Sequence, residues 1–264
     1  MPKDTSYLAK RPDESGWISY TKEEDAVWRD LVAQQQPSVE KLAARAFLDG
    51  QRKLDLPTSR VPQCAEVSDK LMDLTAWKVA PVPALIGFSQ FFKMLSQRTF
   101  PAASFIRSRD DFDYIEEPDI FHEIYGHTPL LTDPRFASFS QAIGETGLQC
   151  EASDYAWLIR LYWFTVEFGL IRERGEIKAL GSGLASSPGE LRHSIHEKSV
   201  IRKPFNVIDI LRTPYRIDIN QPIYFVLNNV EQLLEASKRD LIRDIKKAQA
   251  LGLHAPTYPA KKAG

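Results

Sequence analysis

The chain is poor in cysteine: only Cys64 and Cys150 occur in 264 residues. Two thiols cannot build a disulfide framework and all but exclude a cysteine-based zinc site. A surplus of either charge is also missing. Thirty-four Lys and Arg face 35 Asp and Glu, for a net charge of −1. With no block of like charge, the sequence argues against a nucleic-acid-binding or anionic-membrane surface. No long apolar run is present. The longest uncharged stretch, Val79 to Phe92, is too short to span a bilayer and contains Pro81 and Pro83. The first residues, Met-Pro-Lys-Asp-Thr-Ser, lack the apolar centre of a signal peptide. Repeats, low-complexity tracts and Gly/Ser linkers are absent as well. What remains is ordinary for a globular protein: 43% apolar, 26% charged and 11% aromatic residues. The expectation is a cytoplasmic, reduced protein forming one domain over 1–264, with extended tails at 1–20 and 255–264.

Helical signals dominate. Thr21 and Glu24 have the form of a capping box, followed by Val27, Trp28, Leu31 and Val32 at helical spacing. Pro37 is read as the end of that helix. Ser38 opens the next, which carries Leu42, Ala43, Ala46 and Phe47 and stops at Gly50. Further helices are expected over Ser89–Phe100, Asp154–Leu170 and Asn229–Leu251, the last closed by Gly252. Ser187, Pro188 and Glu190 mark another helix start. Strand signals are few: Glu176–Leu180, Tyr215–Ile219 and Ile223–Val226. The fold class is therefore mainly α with a small β-sheet (α+β), in a single compact domain.

The chemistry concentrates in two apolar segments. Of five histidines (His122, His127, His193, His196 and His254), two fall within Phe121-His122-Glu123-Ile124-Tyr125-Gly126-His127. Burying two imidazoles without partners costs on the order of 2 kcal/mol or more each, so a metal pair outranks plain core packing. The zinc-hydrolase motif His-Glu-x-x-His does not fit, because these histidines are five apart. On an α-helix five steps rotate about 140°, and the rings converge only if the helix is distorted or ended near Gly126. A third ligand candidate, Glu167, sits in the apolar run Leu161–Leu170. A solvent-edge Glu, or one paired with Arg160 or Arg172, is the plain alternative. Two histidines and one carboxylate would form a facial triad with open positions, the arrangement of non-haem iron oxygenases. His193 and His196, among Glu, Arg and Lys, read as a solvated helix face.

Three blocks carry a resemblance: Phe-His-Glu-Ile-Tyr-Gly-His-Thr-Pro-Leu, Trp-Phe-Thr-Val-Glu-Phe-Gly-Leu and Leu-Gly-Ser-Gly-Leu-Ala-Ser-Ser-Pro-Gly-Glu-Leu. Their order and spacing resemble the pterin-dependent aromatic amino acid hydroxylases, above all the bacterial members that act on phenylalanine. The likeness runs from about Trp17 to Pro259 and is to the family's catalytic domain alone. It implies an Fe(II)-containing monooxygenase that uses tetrahydrobiopterin or another reduced tetrahydropterin and O₂ to convert L-phenylalanine to L-tyrosine in phenylalanine catabolism, as a monomer or homodimer. Tryptophan or tyrosine hydroxylation, a zinc metallohydrolase with Glu123 as base, and a metal-stabilised binding module are the alternatives.

By position, the resemblance assigns iron to His122, His127 and Glu167. It gives Glu123 a catalytic place near the pterin. Arg107 is matched to the substrate carboxylate, for which a planar guanidinium suits bidentate binding. Trp163, Phe168 and Pro118 match walls of the aromatic pocket, which Gly183 and Ser186 also line. Ile86, Phe88 and Phe91 match the pterin loop, with Phe91 at the stacking position and Phe88 where animal members would carry a small polar residue. Tyr114 and Tyr162 match tyrosines near substrate and pterin.

Overall fold

A computed structural model describes residue 7 and residues 9–83, 86–115 and 117–258. The N-terminal part is helical: α1 (Lys22–Leu42), α2 (Arg45–Leu54) and α3 (Cys64–Thr75). A two-stranded parallel sheet follows, in which β1 (Lys78–Val82) pairs with β2 (Thr99–Ala103), Lys78 opposite Thr99, across α4 (Phe88–Ser96). Next come a π-helical turn (Phe121–His127), α5 (Thr128–Leu131), α6 (Pro134–Gln149) and α7 (Tyr155–Tyr162). A second π-turn (Trp163–Glu167) extends α7 directly. The rest alternates: β3 (Leu170–Glu173), β4 (Glu176–Ala179), α8 (Ser182–Ser186), α9 (Pro188–His196), β5 (Ile201–Pro204), α10 (Val207–Arg212), β6 (Ile223–Leu227), α11 (Glu231–Ser237) and α12 (Leu241–Leu251). The second sheet has the order β4-β3-β6-β5, antiparallel between β3 and β4 and parallel elsewhere. One apolar core runs through all of this, from Trp28 and Phe47 to Phe164, Tyr224 and Phe225. The expected class, mainly helical with little sheet in one domain, is what is found.

The boundaries differ in instructive ways. The Thr21–Glu24 capping box forms, with both of its hydrogen bonds present. Pro37 does not end α1 but lies inside it. Its ring is exposed, so the missing N–H leaves a carbonyl to water, while Gln35 and Val39 on the buried side hold the helix against the core. Gly50 is likewise interior to α2. It is a close-approach glycine: a Cβ there would stand 2.0 Å from the Pro129 carbonyl oxygen, so only glycine lets α2 pack on α5. The helix expected over Ser89–Phe100 stops at Ser96, and its last residues turn into β2. Asp154–Leu170 divides into a single 3₁₀ turn, α7, the second π-turn and the start of β3. Asn229–Leu251 breaks at 238–240, where Asp240 caps α12 with its side chain. Tyr215–Ile219 is not a strand; it runs without regular structure beside Trp163. In the α9 box, Ser187 caps as expected, but the Glu190 side chain turns inward to Tyr224 and Gln221. Residues 9–20 contain neither helix nor strand, and Ile18 is fixed to the core by both amide atoms of Gln63. The extreme ends assigned to the tails, 1–6 and 259–264, lie outside the described residues.

Candidate metal centre and aromatic pocket

The first π-turn resolves the histidine spacing. In π winding the hydrogen bonds join residues five apart, so residues at i and i+5 return to the same side. The His122 and His127 rings therefore meet nearly edge to face, with their Nε2 atoms 3.2 Å apart. Gly126 makes room for this turn: a Cβ there would lie 2.8 Å from the Ser182 carbonyl oxygen of α8. The second π-turn does the same for the carboxylate. The Phe168 N–H reaches back five residues to the Trp163 carbonyl at 2.8 Å. Glu167 thereby points at the histidines, with Oε1 3.1 Å from His127 Nε2 and Oε2 3.7 Å from His122 Nε2.

These atoms fit one metal ion. Ligand bonds near 2.1 Å opening at right angles put neighbouring donors about 3 Å apart; two of the three spacings, 3.2 and 3.1 Å, match this and the third, His122 to Glu167, is wider at 3.7 Å. The tautomer is also set. Ser186 Oγ donates to the Ser182 carbonyl (2.9 Å), so its lone pairs receive His122 Nδ1–H (2.8 Å), and His122 Nε2 is left with a free lone pair. Ser182 Oγ stands 3.2 Å from His127 Nε2 and 3.1 Å from Glu167 Oε2. A second carboxylate, Glu123, lies farther off, 3.9 Å from His127 Nε2. The electrostatics separate the two acids. Burial raises the affinity of Glu167 for a proton, but His127, His122 and the Ser182 hydroxyl outweigh it and hold Glu167 well below the usual carboxylate range. Glu123 is pushed well above that range by burial and by the neighbouring charges of Glu167 and Asp119. Burial also brings His122 down to about 4, so its imidazole is neutral at physiological pH and able to ligate.

A cavity of about 360 Å³ opens onto this centre. Its lining includes His122 and Glu167 together with Arg107, Tyr114, Pro118, Trp163, Phe168, Gly183 and Ser186. Trp163 and Phe168 face each other at 4.3 Å. Far from being a surface residue, Arg107 is 7% exposed, and Asp119 grips it through Nε (2.8 Å) and Nη2 (2.9 Å). Its Nη1 makes only a long contact, 3.4 Å, with the Phe112 carbonyl, so the guanidinium keeps N–H groups to spare beside the cavity.

A family model described as biopterin-dependent aromatic amino acid hydroxylase matches residues 3–257. The chain belongs to this family. It is 45% identical to the phenylalanine-4-hydroxylase of Vibrio cholerae over 98% of its own length and 89% of that protein's. With the Pseudomonas aeruginosa phenylalanine-4-hydroxylase it shares 44% identity over 99% of both chains. Among solved structures, it is similar to the apo form of a cold-active phenylalanine hydroxylase from Colwellia psychrerythraea (TM-score 0.95, 47% identity, 98% of this chain and 100% of that one). It also resembles a Chromobacterium violaceum phenylalanine hydroxylase with bound oxidised Fe(III) (TM-score 0.89, 34% identity, 96% and 92% covered).

In this hydroxylase the residues matched to the pterin are brought together only in part. Phe91 of α4 meets the Tyr162 ring edge-on at 5.3 Å, and Tyr162 stacks towards His127 at 6.4 Å. Burial, then Glu167 and Glu123, keep the Tyr162 phenol protonated. Phe88 is exposed, and its ring contacts run to Phe92 and Tyr155 rather than to the histidines. Ile86 lies half-buried just before α4. Tyr114 is largely exposed at the cavity mouth. Sequence reasoning passed over Asp119 and Ser182. Asp119, three residues before His122, occupies the position of a side-chain cap and takes the His122 backbone N–H at 3.1 Å. That spacing was a readable signal. Nothing local marks Ser182, whose partners are 15 and 55 residues away.

Proposed function

We propose that this enzyme hydroxylates L-phenylalanine to L-tyrosine, with a non-haem Fe(II) held by His122, His127 and Glu167 and a reduced tetrahydropterin as co-substrate. The observation that carries the reading is the meeting of three candidate metal donors with an aromatic cavity that has an arginine in its wall. When bound, iron and tetrahydropterin would supply the activation of dioxygen, one atom of O₂ entering the ring and the pterin providing the two electrons that reduce the other. The chain's own residues do the rest. Arg107, held rigid by Asp119, takes the substrate carboxylate. The substrate ring lies against Trp163, Phe168 and Pro118, which direct its para carbon to the metal side. Ser186 and Ser182 keep the ligands oriented. Phe91, Tyr162, Glu123, Ile86 and Phe88 receive the pterin, Phe91 by stacking. Glu123, raised in pKa, holds a proton close to the place where oxygen is activated. Ligation through a distorted turn, rather than the α-helical pair of zinc hydrolases, and a cavity open to the metal leave the hydrolase and structural-metal readings without support. The two free cysteines fit the cytoplasm as its compartment.

The test is an assay of purified protein with Fe(II), a tetrahydropterin and each aromatic amino acid. The expected order of kcat/KM is phenylalanine, then tryptophan, then tyrosine, with tyrosine as the product from phenylalanine. Tyrosine would bury a ring hydroxyl without a partner, at about 1–3 kcal/mol, and tryptophan must displace packed walls. Tryptophan as the best substrate, or meta-hydroxylated phenylalanine, would refute this placement of the ring.

A further inference from the structure

Gln221 is 2% exposed, although it ends an irregular segment instead of lying in a helix or strand. All its polar atoms are engaged. Nε2 donates to the carbonyl oxygens of Arg216 (2.7 Å) and Ile219 (3.0 Å). The backbone N–H donates to Glu190 Oε1 (2.8 Å), which also accepts the Tyr224 hydroxyl (2.5 Å). The backbone carbonyl meets His193 Nε2 at 3.1 Å. With both amide hydrogens committed to carbonyls, the amide plane is fixed, and Oε1 accepts the indole N–H of Trp163 at 3.3 Å. A flipped amide would set donor against donor and oxygen against two oxygens, so the orientation is forced.

The same segment also carries Tyr215, whose ring stacks on Trp163 at 4.4 Å and 16°, and Ile217, which lines the aromatic cavity. Stacking lets an indole slide and turn in its plane, and χ2 of tryptophan is a broad torsion. The N–H···O bond removes that freedom. We infer that Gln221 is a positioning residue for phenylalanine hydroxylation: it locks the Trp163 indole to the Tyr215–Gln221 segment and so fixes the wall against which the substrate ring is aimed. This rests on the reading of Trp163 as a cavity wall.

The experiment is a double-mutant cycle on the iron-loaded enzyme. Gln221→Met keeps the volume but removes both the indole's acceptor and the two donors to the Arg216 and Ile219 carbonyls. KM for phenylalanine should rise about 3- to 10-fold, the yield lost with one buried hydrogen bond. More pterin should be consumed per tyrosine formed, while pterin KM and iron content stay at parental values. Gln221→Glu, kept protonated by burial, offers its O–H to the Arg216 or Ile219 carbonyl and its other oxygen to the indole, and should bring phenylalanine KM back to within about twofold of parent even where its melting temperature falls. In a Trp163→Phe background, Gln221→Met should add nothing further to phenylalanine KM, because the bond is already gone. Should Gln221→Met fail to accumulate as folded protein, Gln221→Asn, with its oxygen withdrawn by one methylene, completes the cycle. Additive effects in the cycle, or a folded Gln221→Met enzyme with parental KM and coupling, would overturn the inference. Parental kinetics for Trp163→Phe alone would instead overturn the reading of Trp163 as a wall, which keeps the two failures apart.

Discussion

Asp119 receives four hydrogen bonds, from the backbone and two guanidinium nitrogens of Arg107 and from the backbone of His122. It thus ties the arginine proposed to take the substrate carboxylate to the turn proposed to hold the metal. Removing one partner of a buried pair leaves the other charge stranded, so Asp119→Ala should lower unfolding free energy by about 3–5 kcal/mol, read from urea denaturation. Arg107→Lys keeps charge but loses the fork; phenylalanine binding should weaken by on the order of 1.5–3 kcal/mol, seen in phenylalanine KM with pterin KM unmoved. Equal weakening of both would make Arg107 a structural residue only. The pair also sets an acid limit. Burial alone would raise the Asp119 pKa, but Arg107 and the backbone donors bring it below the ordinary carboxylate value. A folded-state pKa below the unfolded one, about 3.9, means stability that is present above that pH and lost as pH falls through the folded value. Asp119→Asn should therefore be less stable than the parent at neutral pH, with the difference shrinking below about pH 4. At this scale the sequence alone gives little. Arg107 beside Arg109 and Asp110 looks like any surface arginine, and only the resemblance to a family singled it out. Its burial depends on an aspartate that lies far away until the chain folds.

At the scale of elements, local chemistry is legible and tertiary override is not. The Thr21–Glu24 box and the Ser187 cap are satisfied within one turn, so their residues suffice to announce them. Pro37 and Gly50 carry stop signals that packing overrules, the first by burial of its neighbours and the second because α5 needs the space. The histidines posed a sharper question. Spacing showed that an α-helix could not join them; that the answer is π winding depends on contacts with α8. Gly126→Ala tests this. A methyl driven against the Ser182 carbonyl must separate the turn from α8, and iron content should fall together with activity while far-ultraviolet circular dichroism changes little. Full iron occupancy in that variant would show that the close approach is dispensable.

Across the whole molecule, the groups of the centre come from distant stretches: the first π-turn, the second and α8. The parallel strands β1, β2, β5 and β6 that help hold this layout are hard to read, because each is short and its partner is set by topology rather than by alternation along one segment. An ion that clasps several elements belongs to the folded state only. Fe(II) at 100 times its dissociation constant should stabilise the protein by about 2.7 kcal/mol. For a chain of this size each kcal/mol is worth about 2–4 °C, so the melting temperature should climb by several degrees. Glu167→Ala should lose most of that rise. An unchanged shift in this variant would remove Glu167 from the ligand set.

Each π-turn holds a residue more than the α-helical turn it replaces. Outside the three ligands and Gly126, the two turns therefore make the catalytic centre sensitive to chain length more than to side-chain identity. Exchanging Ile124 for another apolar residue leaves the count intact. Deleting it returns the turn to α period and rotates everything upstream, Asp119 and its hold on Arg107 included, by about 100°. In the descent of such a chain, insertions and deletions at these two turns would be filtered far more severely than exchanges of apolar residues such as Ile124. Deletion of Ile124 should therefore lose iron where its exchange for Leu or Val keeps iron at parental content.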